Sequence, residues 1–152
     1  EGMDMHSNLK SDCNSLYPLV KALIDANIKI TALRDATRGG VSAVLNEWAK
    51  QSNICIEVEE ENIPVSDEVK GICEMLGFEA TNLANEGTFL LAITKDDAAK
   101  AIEVLHTFPE ASNASIIGKV TAQYPQKVIL NSSWGTKRFL DTPTGELLPR
   151  IC

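Results

Sequence analysis

The sequence has few cysteines and histidines, and their spacing is not that of metal ligands. Its four cysteines lie far apart without a CxxC pair, and His6 and His106 are isolated. Structural zinc sites need closely spaced Cys or His pairs, so these cysteines and histidines predict no metal site. The cysteines show no disulfide framework either, and we therefore expect a reduced, cytoplasmic protein.

Excess positive charge and long hydrophobic runs are also missing. Fourteen Lys and Arg residues against 21 Asp and Glu residues give a net charge of −7. Nucleic acid and anionic membrane surfaces bind basic faces, which this composition does not favour. No run approaches the about 18 apolar residues of a membrane-spanning helix, and no hydrophobic signal region opens the given sequence. The sequence predicts neither a nucleic-acid partner nor a membrane partner.

The composition is typical of one globular domain, with 152 residues of which 44% are hydrophobic and 23% charged. Residues 1–10 are polar and aperiodic, and we expect a linker there. The domain is predicted over residues 11–141, and a flexible tail over residues 142–152. Because the first residue is Glu1 rather than Met, we expect the chain to be part of a longer protein.

Hydrophobic periodicity predicts helices that alternate with strands. Helical spacing is found in residues 11–27, 41–51, 66–77 and 96–105. Strand patterns are found in residues 28–33, 54–59, 88–94, 115–122, 127–131 and 138–141. The pattern predicts an α+β fold with about four helices layered on a mixed, mainly antiparallel sheet.

Local signals add detail to this pattern. Ser11 or Asp12 is predicted to cap the first helix, Asn27 suits its end, and Ser66 is predicted to cap the third. Glu57, Glu59, Glu60 and Glu61 form a charge run that we expect to be a solvated face.

The segment from Arg34 to Gly40, between a predicted strand and a helix, is the first candidate site. Its two glycines let the backbone approach a ligand closely, and the first N–H groups of the helix favour an anion. Arg34 and Arg38 add donors suited to phosphate or carboxylate. Asp35 is suited to hold an arginine or to serve a magnesium ion. The spacing is not that of a Walker motif. A tight turn with a capping Asp and solvated arginines is the alternative.

The segment Asn85-Glu86-Gly87, before a predicted buried strand, is the second candidate site. Burial can raise the pKa of a carboxyl group, which suits a general base near neutral pH. The alternative is an ordinary turn in which Asn and Gly supply positive φ angles.

The terminal residue Cys152 is the third candidate. A thiol on the last residue has backbone on one side only, so it can enter a cleft that a loop cannot. The residues after Asp141 can span at most about 36 Å, and a few per cent of a free thiol is thiolate at neutral pH. An inert end and a lipid anchor are the alternatives, although the CaaX form of prenylation is excluded. Cys55 and Cys73 are predicted to pack in the core, whereas Cys13 is ambiguous.

Four stretches together resemble the C-terminal half of the HypE family of hydrogenase maturation factors. They are Leu33–Val41 (LRDATRGGV), Ala84–Gly87 (ANEG), Ile116–Val120 (IIGKV) and Leu148–Cys152 (LPRIC). That family belongs to the ATP-dependent superfamily of aminoimidazole ribotide synthetase and selenophosphate synthetase. The Asp-x-Thr-Arg-Gly-Gly element is shared across the superfamily, whereas the Pro-Arg-Ile-Cys terminus singles out HypE.

The resemblance implies an enzyme of [NiFe]-hydrogenase maturation. The partner HypF would place a carbamoyl group on Cys152, and ATP would drive its dehydration to a thiocyanate. The cyano group would then pass to iron on a HypC–HypD scaffold. Glu86 would be the base and Asn85 a hydrogen-bonding orienter. The nucleotide site would include Asp35, Thr37, Arg38, Gly39 and Gly40.

The resemblance also implies that an N-terminal domain, absent from this chain, binds most of the ATP with magnesium and forms a homodimer. The chain alone is then expected to be inactive. A noncatalytic docking domain that presents its tail to maturation partners is the alternative. Another synthetase of the superfamily is a third option, which the Cys-terminated tail disfavours.

Overall fold

The computed structural model of the chain describes residue 11 and residues 13–142. Within them, four α-helices alternate with six strands. The helices are α1 (Tyr17–Asp25), α2 (Gly40–Ser52), α3 (Asp67–Leu76) and α4 (Lys95–Leu105). The strands are β1 (Ile30–Ala36), β2 (Cys55–Glu59), β3 (Asn85–Ile93), β4 (Gly118–Thr121), β5 (Lys127–Asn131) and β6 (Lys137–Phe139). The predicted α+β class with four helices is confirmed. The predicted linker (1–10) and almost all of the predicted tail lie outside the described residues.

The strands form two sheets. β1 and β3 pair antiparallel as a two-stranded sheet. The other sheet has the order β4-β2-β5-β6, in which β2 and β5 run parallel and the two outer pairs are antiparallel. The prediction of mixed, mainly antiparallel pairing is therefore confirmed, with the strands divided between two sheets.

The described residues form two hydrophobic cores, and the two-stranded sheet contributes to both, because Ala36 of β1 and Leu90 of β3 belong to the first. One face of α2 packs on the four-stranded sheet, and α1 and α4 pack on the two-stranded sheet. The first core also contains Val44, Leu45, Ala49, Ile56, Val58, Val128 and Leu130, and Trp48 packs against it. The second core contains Leu19, Leu23, Ile28, Ala101 and Leu105. Each buried Leu, Ile or Val stabilises the fold by about 1.5–3 kcal/mol relative to leaving it exposed.

The start of α1 differs from the prediction. The N-cap residue is Leu16, which makes no side-chain cap, and a proline lies in the first turn. Proline favours that position because its fixed φ suits a helix and its missing N–H would be unpaired there anyway. Ser11 Oγ instead accepts a hydrogen bond from the Cys13 N–H at 3.3 Å, and Asp12 lies outside the described residues. The predicted end is confirmed, since Asn27 has φ 57°.

The expectation of a solvated face for the whole glutamate run is wrong. Glu57 is only 8% exposed, and its carboxylate lies 3.5 Å from Lys119 Nζ. Burial follows from strand order, because β2 is a central strand with β4 and β5 on its two sides. Glu59, two residues further along, accepts a hydrogen bond from Asn131 Nδ2 at 2.6 Å.

Other local predictions hold. Ser66 Oγ caps α3 by accepting a hydrogen bond from the Val69 N–H at 3.4 Å. Cys55 and Cys73 are buried as expected. Among the described residues, every helix is too short or too polar to cross a lipid bilayer.

Candidate functional site

The first two candidate sites lie together at one end of the two-stranded sheet. Ala36, the last residue of β1, pairs with Asn85, the first residue of β3. Gly40, at the start of α2, lies against the loop that precedes β3. A Cβ atom added at Gly40 would lie 2.5 Å from the carbonyl oxygens of both Thr81 and Leu83. Segments 34–40 and 85–87, predicted as two separate candidates, therefore form one candidate site.

A bulge presents Glu86 at this site. Asp35 pairs with Phe89 while the next residue, Ala36, pairs with Asn85, so residues 86–88 are extra on β3. Bulges redirect side chains and are common beside active sites. Here β3 begins three residues before the predicted start at Thr88, and Glu86 is exposed. The expectation of a buried carboxylate is therefore wrong for the described chain.

Asn85 is held in place by the bulge itself. Its side-chain Oδ1 accepts a hydrogen bond from the Gly87 N–H at 3.0 Å. Neither residue has a positive φ angle. The alternative of an ordinary turn with positive φ at Asn and Gly is thus wrong.

The N-terminus of α2 faces the same end of the sheet and has no side-chain cap. Gly39 is its N-cap residue with φ 66°, Gly40 follows with φ 62°, and the first turn holds no acidic residue. The first N–H groups of a helix have no intrahelical acceptor, and the helix dipole places partial positive charge there. This turn is therefore suited to bind an anion. Asp35 is not a cap, because its Oδ1 instead lies 3.5 Å from the Thr37 hydroxyl donor.

The two arginines of the segment have different surroundings. Arg34 forms an ion pair with Glu47 of α2, which commits its guanidinium to the fold. Arg38 is exposed and forms no ion pair within the described part of the chain. Both arginines are exposed, as the alternative interpretation expects, and they differ in that Arg34 has an ion-pair partner. Arg38 is the cation that this turn offers to a ligand.

Two buried polar atoms beside the turn were missed by sequence reasoning. Ser42 Oγ, in the first turn of α2, and Asn82 Oδ1, in the loop against Gly40, have no hydrogen-bond partner among the described residues. An unpaired buried polar atom costs about 1–3 kcal/mol. The end of the sheet thus has hydrogen-bonding capacity that the described chain does not use. Neither residue carries a sequence signal that separates it from an ordinary helix or loop residue.

The third candidate, Cys152, lies outside the described residues, but the start of its tail is visible. Asn46 Nδ2 donates a hydrogen bond to the Leu140 carbonyl at 2.8 Å. Lys50 Nζ donates to Thr142 Oγ1 at 3.4 Å. The chain therefore leaves the fold alongside α2, the helix whose other end forms the candidate site. Hydrophobic periodicity gave no signal for Asn46, which lies outside the apolar stripe of α2.

No group of three or more His, Cys, Asp or Glu side chains within the described residues is placed to hold a metal ion. Asp35 is the carboxylate that was predicted to suit a magnesium ion. One carboxylate supplies only part of a magnesium site, which is otherwise completed by waters and phosphates.

The family described as AIR synthase related protein, C-terminal domain, matches residues 5–131. The chain belongs to this family. The C-terminal domain of AIR synthase related proteins is thus the fold described above, and the α+β layering predicted from the sequence is that of the family.

Two relatives confirm the resemblance to HypE. This C-terminal domain is 42% identical over 152 residues to the carbamoyl dehydratase HypE of Escherichia coli, covering 100% of this chain and 44% of that protein. It is 37% identical over 146 residues to the carbamoyl dehydratase HypE of Rhodobacter capsulatus, covering 96% and 43%. The chain spans less than half the length of the curated relatives it matches.

Solved structures agree with this. A crystal structure of the hydrogenase maturation protein HypE in complex with ATP superposes with a TM-score of 0.89 and 34% identity, covering 99% of this chain and 46% of that chain. A crystal structure of a HypE–HypF complex superposes with a TM-score of 0.85 and 36% identity, covering 93% and 46%. The described fold is therefore that of the C-terminal part of HypE proteins.

Proposed function

We propose that the whole protein dehydrates a carbamoyl group on Cys152 to a thiocyanate at the expense of ATP, as a step of [NiFe]-hydrogenase maturation. Relatives over essentially the whole chain are named carbamoyl dehydratase. The thiocyanate would be the source of the iron-bound cyanide ligands. This chain would supply the carrier thiol and one wall of the reaction site.

The position of the tail on α2 carries this proposal. The tail leaves the fold beside Lys50, and the candidate site lies at Gly40 on the same helix. Ten residues of α-helix are about 15 Å long. The ten residues of segment 143–152 can span about 33–36 Å when extended. Cys152 is therefore within reach of the site at the other end of α2.

The chemistry assigns roles to the bulge residues. An amide oxygen is a poor leaving group, so the γ-phosphoryl group of ATP is first transferred to it. One amide proton is lost as this phosphorylated intermediate forms, and the second is lost as phosphate departs and the C≡N bond is completed. Glu86 is the proposed base for these protons, because the bulge places its exposed carboxylate at the site. Asn85, fixed by the Gly87 N–H, is the proposed orienter of the carbamoyl group.

The turn before α2 is proposed to offset phosphate charge. Arg38 and the uncapped N–H groups at Gly39 and Gly40 supply positive charge there. Thr37 and Asp35 are proposed to shape the same turn through their contact. A HypE of known structure binds ATP, and we propose that most of the nucleotide, with magnesium, is bound by an N-terminal domain. The described residues fit no complete magnesium site, and no step is assigned to the metal.

The proposal also covers the partner proteins, the cellular location and the oligomeric state. HypF is the proposed donor of the carbamoyl group, in line with the HypE–HypF complex that this chain resembles. A HypC–HypD complex is the proposed acceptor of the cyano group. The whole protein is proposed to act as a cytoplasmic homodimer, and the chain alone is proposed to be inactive.

Mass spectrometry of the whole protein, incubated with HypF, a carbamoyl donor and ATP, tests the proposal. Cys152 should gain a carbamoyl mass and then lose one water. Glu86→Gln should retain the carbamoyl mass without the loss of water, and Glu103→Gln, on the exposed side of α4, should behave as the native protein. Cys152→Ser should abolish both changes, whereas Cys13→Ser should abolish neither.

The docking alternative predicts a different pattern. If the domain only presents its tail, Glu86→Gln should dehydrate the carbamoyl group at the native rate. That result would remove Glu86 from the mechanism. An unmodified Cys152 in the native protein would contradict the carrier role itself.

A further inference from the structure

The four-stranded sheet has a face that α2 does not cover. Val58 and Leu130 point into the core beneath α2, so their neighbours along the strands point the other way. We call this second side the outer sheet face. By register it carries the cross-strand row Lys119, Glu57, Ile129 and Phe139, with Lys127 and Lys137 on either side of that row.

A groove runs over one end of the outer sheet face. It has a volume of about 190 Å³ and is lined by Tyr124, Ile129, Lys137, Arg138 and Phe139. Ile129 is buried. The rings of Tyr124 and Phe139 meet edge to face, with centroids 6.1 Å apart. The groove thus combines an apolar residue with a preformed aromatic pair.

The charge of the groove is opposite to that of the whole protein. Its lining holds two cations and no carboxylate, in a chain of net charge −7. Lys127 Nζ lies 5.6 Å from the centre of the Phe139 ring and adds a third cation at the edge. Arg138 is paired with Glu79 at 2.9 Å, whereas Lys137 has no ion pair within the described part of the chain. An occupant of matching charge is therefore acidic.

Two exposed aromatic side chains line the same groove. The chain has only four Phe, two Tyr and two Trp residues. Of these, Tyr124 is 46% exposed and Phe139 is 49% exposed, whereas the exposed Trp134 and Tyr17 lie outside the groove lining. Aromatic residues are enriched among the side chains that dominate the affinity of protein interfaces. Grouped exposure of this kind is typical of a binding surface.

Among the residues that the structure describes, strand β6 is the edge of the sheet beside this groove. The Leu140 N–H donates to the Val128 carbonyl, and the Ser132 N–H donates to the Thr136 carbonyl. Backbone groups of an antiparallel strand alternate in direction. The N–H and C=O groups of Lys137 and Phe139 therefore point away from β5, to the side where no described strand pairs with β6. The same two residues place their side chains in the groove.

We infer that β6 and the groove bind an extended acidic segment of a partner protein, which adds a strand to the sheet edge and places an aromatic or aliphatic side chain against Phe139. Main-chain hydrogen bonds to an edge strand supply affinity in such complexes, and a side-chain pocket supplies specificity. This inference does not depend on the proposed enzymatic role, because no residue of the candidate site takes part.

Titration of the purified full-length protein into a labelled peptide tests the inference. The probe is a dye-labelled, end-capped peptide of sequence Asp-Val-Glu-Phe-Glu-Val-Asp, and binding is measured by fluorescence anisotropy. Saturable binding that weakens with added salt is expected, because exposed charges are screened. The same peptide with Lys at every acidic position should not bind. Failure of the acidic peptide to bind, or equal binding of the basic one, would overturn the inference.

Two N-methylated forms of the acidic peptide test strand addition. In one form the odd-numbered residues are methylated, and in the other the even-numbered residues. Only one set of N–H groups faces β6 in a paired strand, so one form should lose at least about tenfold in affinity and the other should bind within about threefold of the parent. Equal affinity of the two forms would show that the edge is not used.

Two charge variants locate the site. Lys137→Glu should weaken binding of the acidic peptide by about tenfold, because it replaces a cation of the groove by a like charge. Lys29→Glu is the matched control, since Lys29 is exposed between α1 and β1, and it should bind as the native protein does. Equal affinity of the native and Lys137→Glu proteins for the peptide would exclude the groove as its binding site.

Two further measurements test whether the groove is instead occupied by the chain's own tail or by a second copy of the chain. If deletion of residues 143–152 raises peptide affinity tenfold or more, the groove is filled by the chain's own tail, and the partner assignment is wrong. If Lys137→Glu dissociates a dimer in analytical ultracentrifugation, the occupant is a second copy, and the assignment is again wrong. Unchanged affinity and unchanged oligomeric state support a separate partner.

Discussion

Replacing Gly40 by Ala tests whether direct backbone contact holds the two segments of the candidate site together. Gly40 has φ +62°, and an added Cβ would lie 2.5 Å from two carbonyl oxygens, those of Thr81 and Leu83. The left-handed conformation costs an L-residue about 1–2 kcal/mol. Moving a packed backbone away from the new methyl group costs about 1–3 kcal/mol more. We therefore expect Gly40→Ala to lower the free energy of unfolding by about 2–5 kcal/mol.

Substitutions at two other glycines separate the cost of the left-handed conformation from the cost of the backbone contact. Gly77 has φ +71° with no atom within 4 Å of an added Cβ, so Gly77→Ala should show the left-handed cost alone, about 1–2 kcal/mol. Gly71 lies inside α3 with open space around it. Gly71→Ala should stabilise the protein by about 0.5–1 kcal/mol, because alanine is the better helix former.

Thermal unfolding followed by circular dichroism measures all three variants. A change of 1 kcal/mol shifts the Tm of a protein of this size by about 3 °C, so Gly40→Ala should lower Tm by about 6–15 °C. If Gly40→Ala and Gly77→Ala lose the same stability, the contact between α2 and the loop before β3 contributes nothing, and the account of a single site held by that contact fails.

Two further predictions concern buried groups. Asn46→Ala should lower the free energy of unfolding in urea by about 1–3 kcal/mol, because it leaves the buried Leu140 carbonyl without its side-chain donor; a loss below about 0.5 kcal/mol would contradict this. Burial raises the pKa of the Cys73 thiol, so at pH 8 iodoacetamide should alkylate the exposed Cys13 well before Cys73, as followed by peptide mass mapping. The difference should disappear in urea, and it should shrink as the pH rises toward the raised pKa; equal rates in the native protein would contradict the burial.

Short-range signals in the sequence were sufficient for most of the secondary structure. Ser66 and the left-handed Asn27 mark helix ends through hydrogen bonds and dihedral angles that involve only near neighbours. Strand order is different, because it depends on pairing between distant segments. The burial of Glu57 follows from the central position of β2, which no local pattern reveals.

The candidate site shows the same limit. The motifs at residues 34–40 and 85–87 were found from their residue types, but their proximity follows from the pairing of β1 with β3. The ion pair that engages Arg34 also crosses between elements, from β1 to Glu47 on α2. Sequence patterns can thus identify chemically capable residues, whereas their assembly into one site requires the long-range pairing.

Helix α2 links the site to the proposed carrier thiol. The distance along the helix sets the effective concentration of that thiol at the site. The tail begins about 15 Å along the helix from the Gly39–Gly40 turn, at 1.5 Å per residue. A flexible chain of ten residues has a root-mean-square end-to-end distance of about 16–19 Å. Effective concentration is highest when this length matches the span, and it reaches the millimolar range for short linkers. Under the proposed function, a tail of fewer than about five residues would fail to reach the site, and a much longer one would dilute the thiol. The segment 143–152 has a root-mean-square length close to the distance along α2.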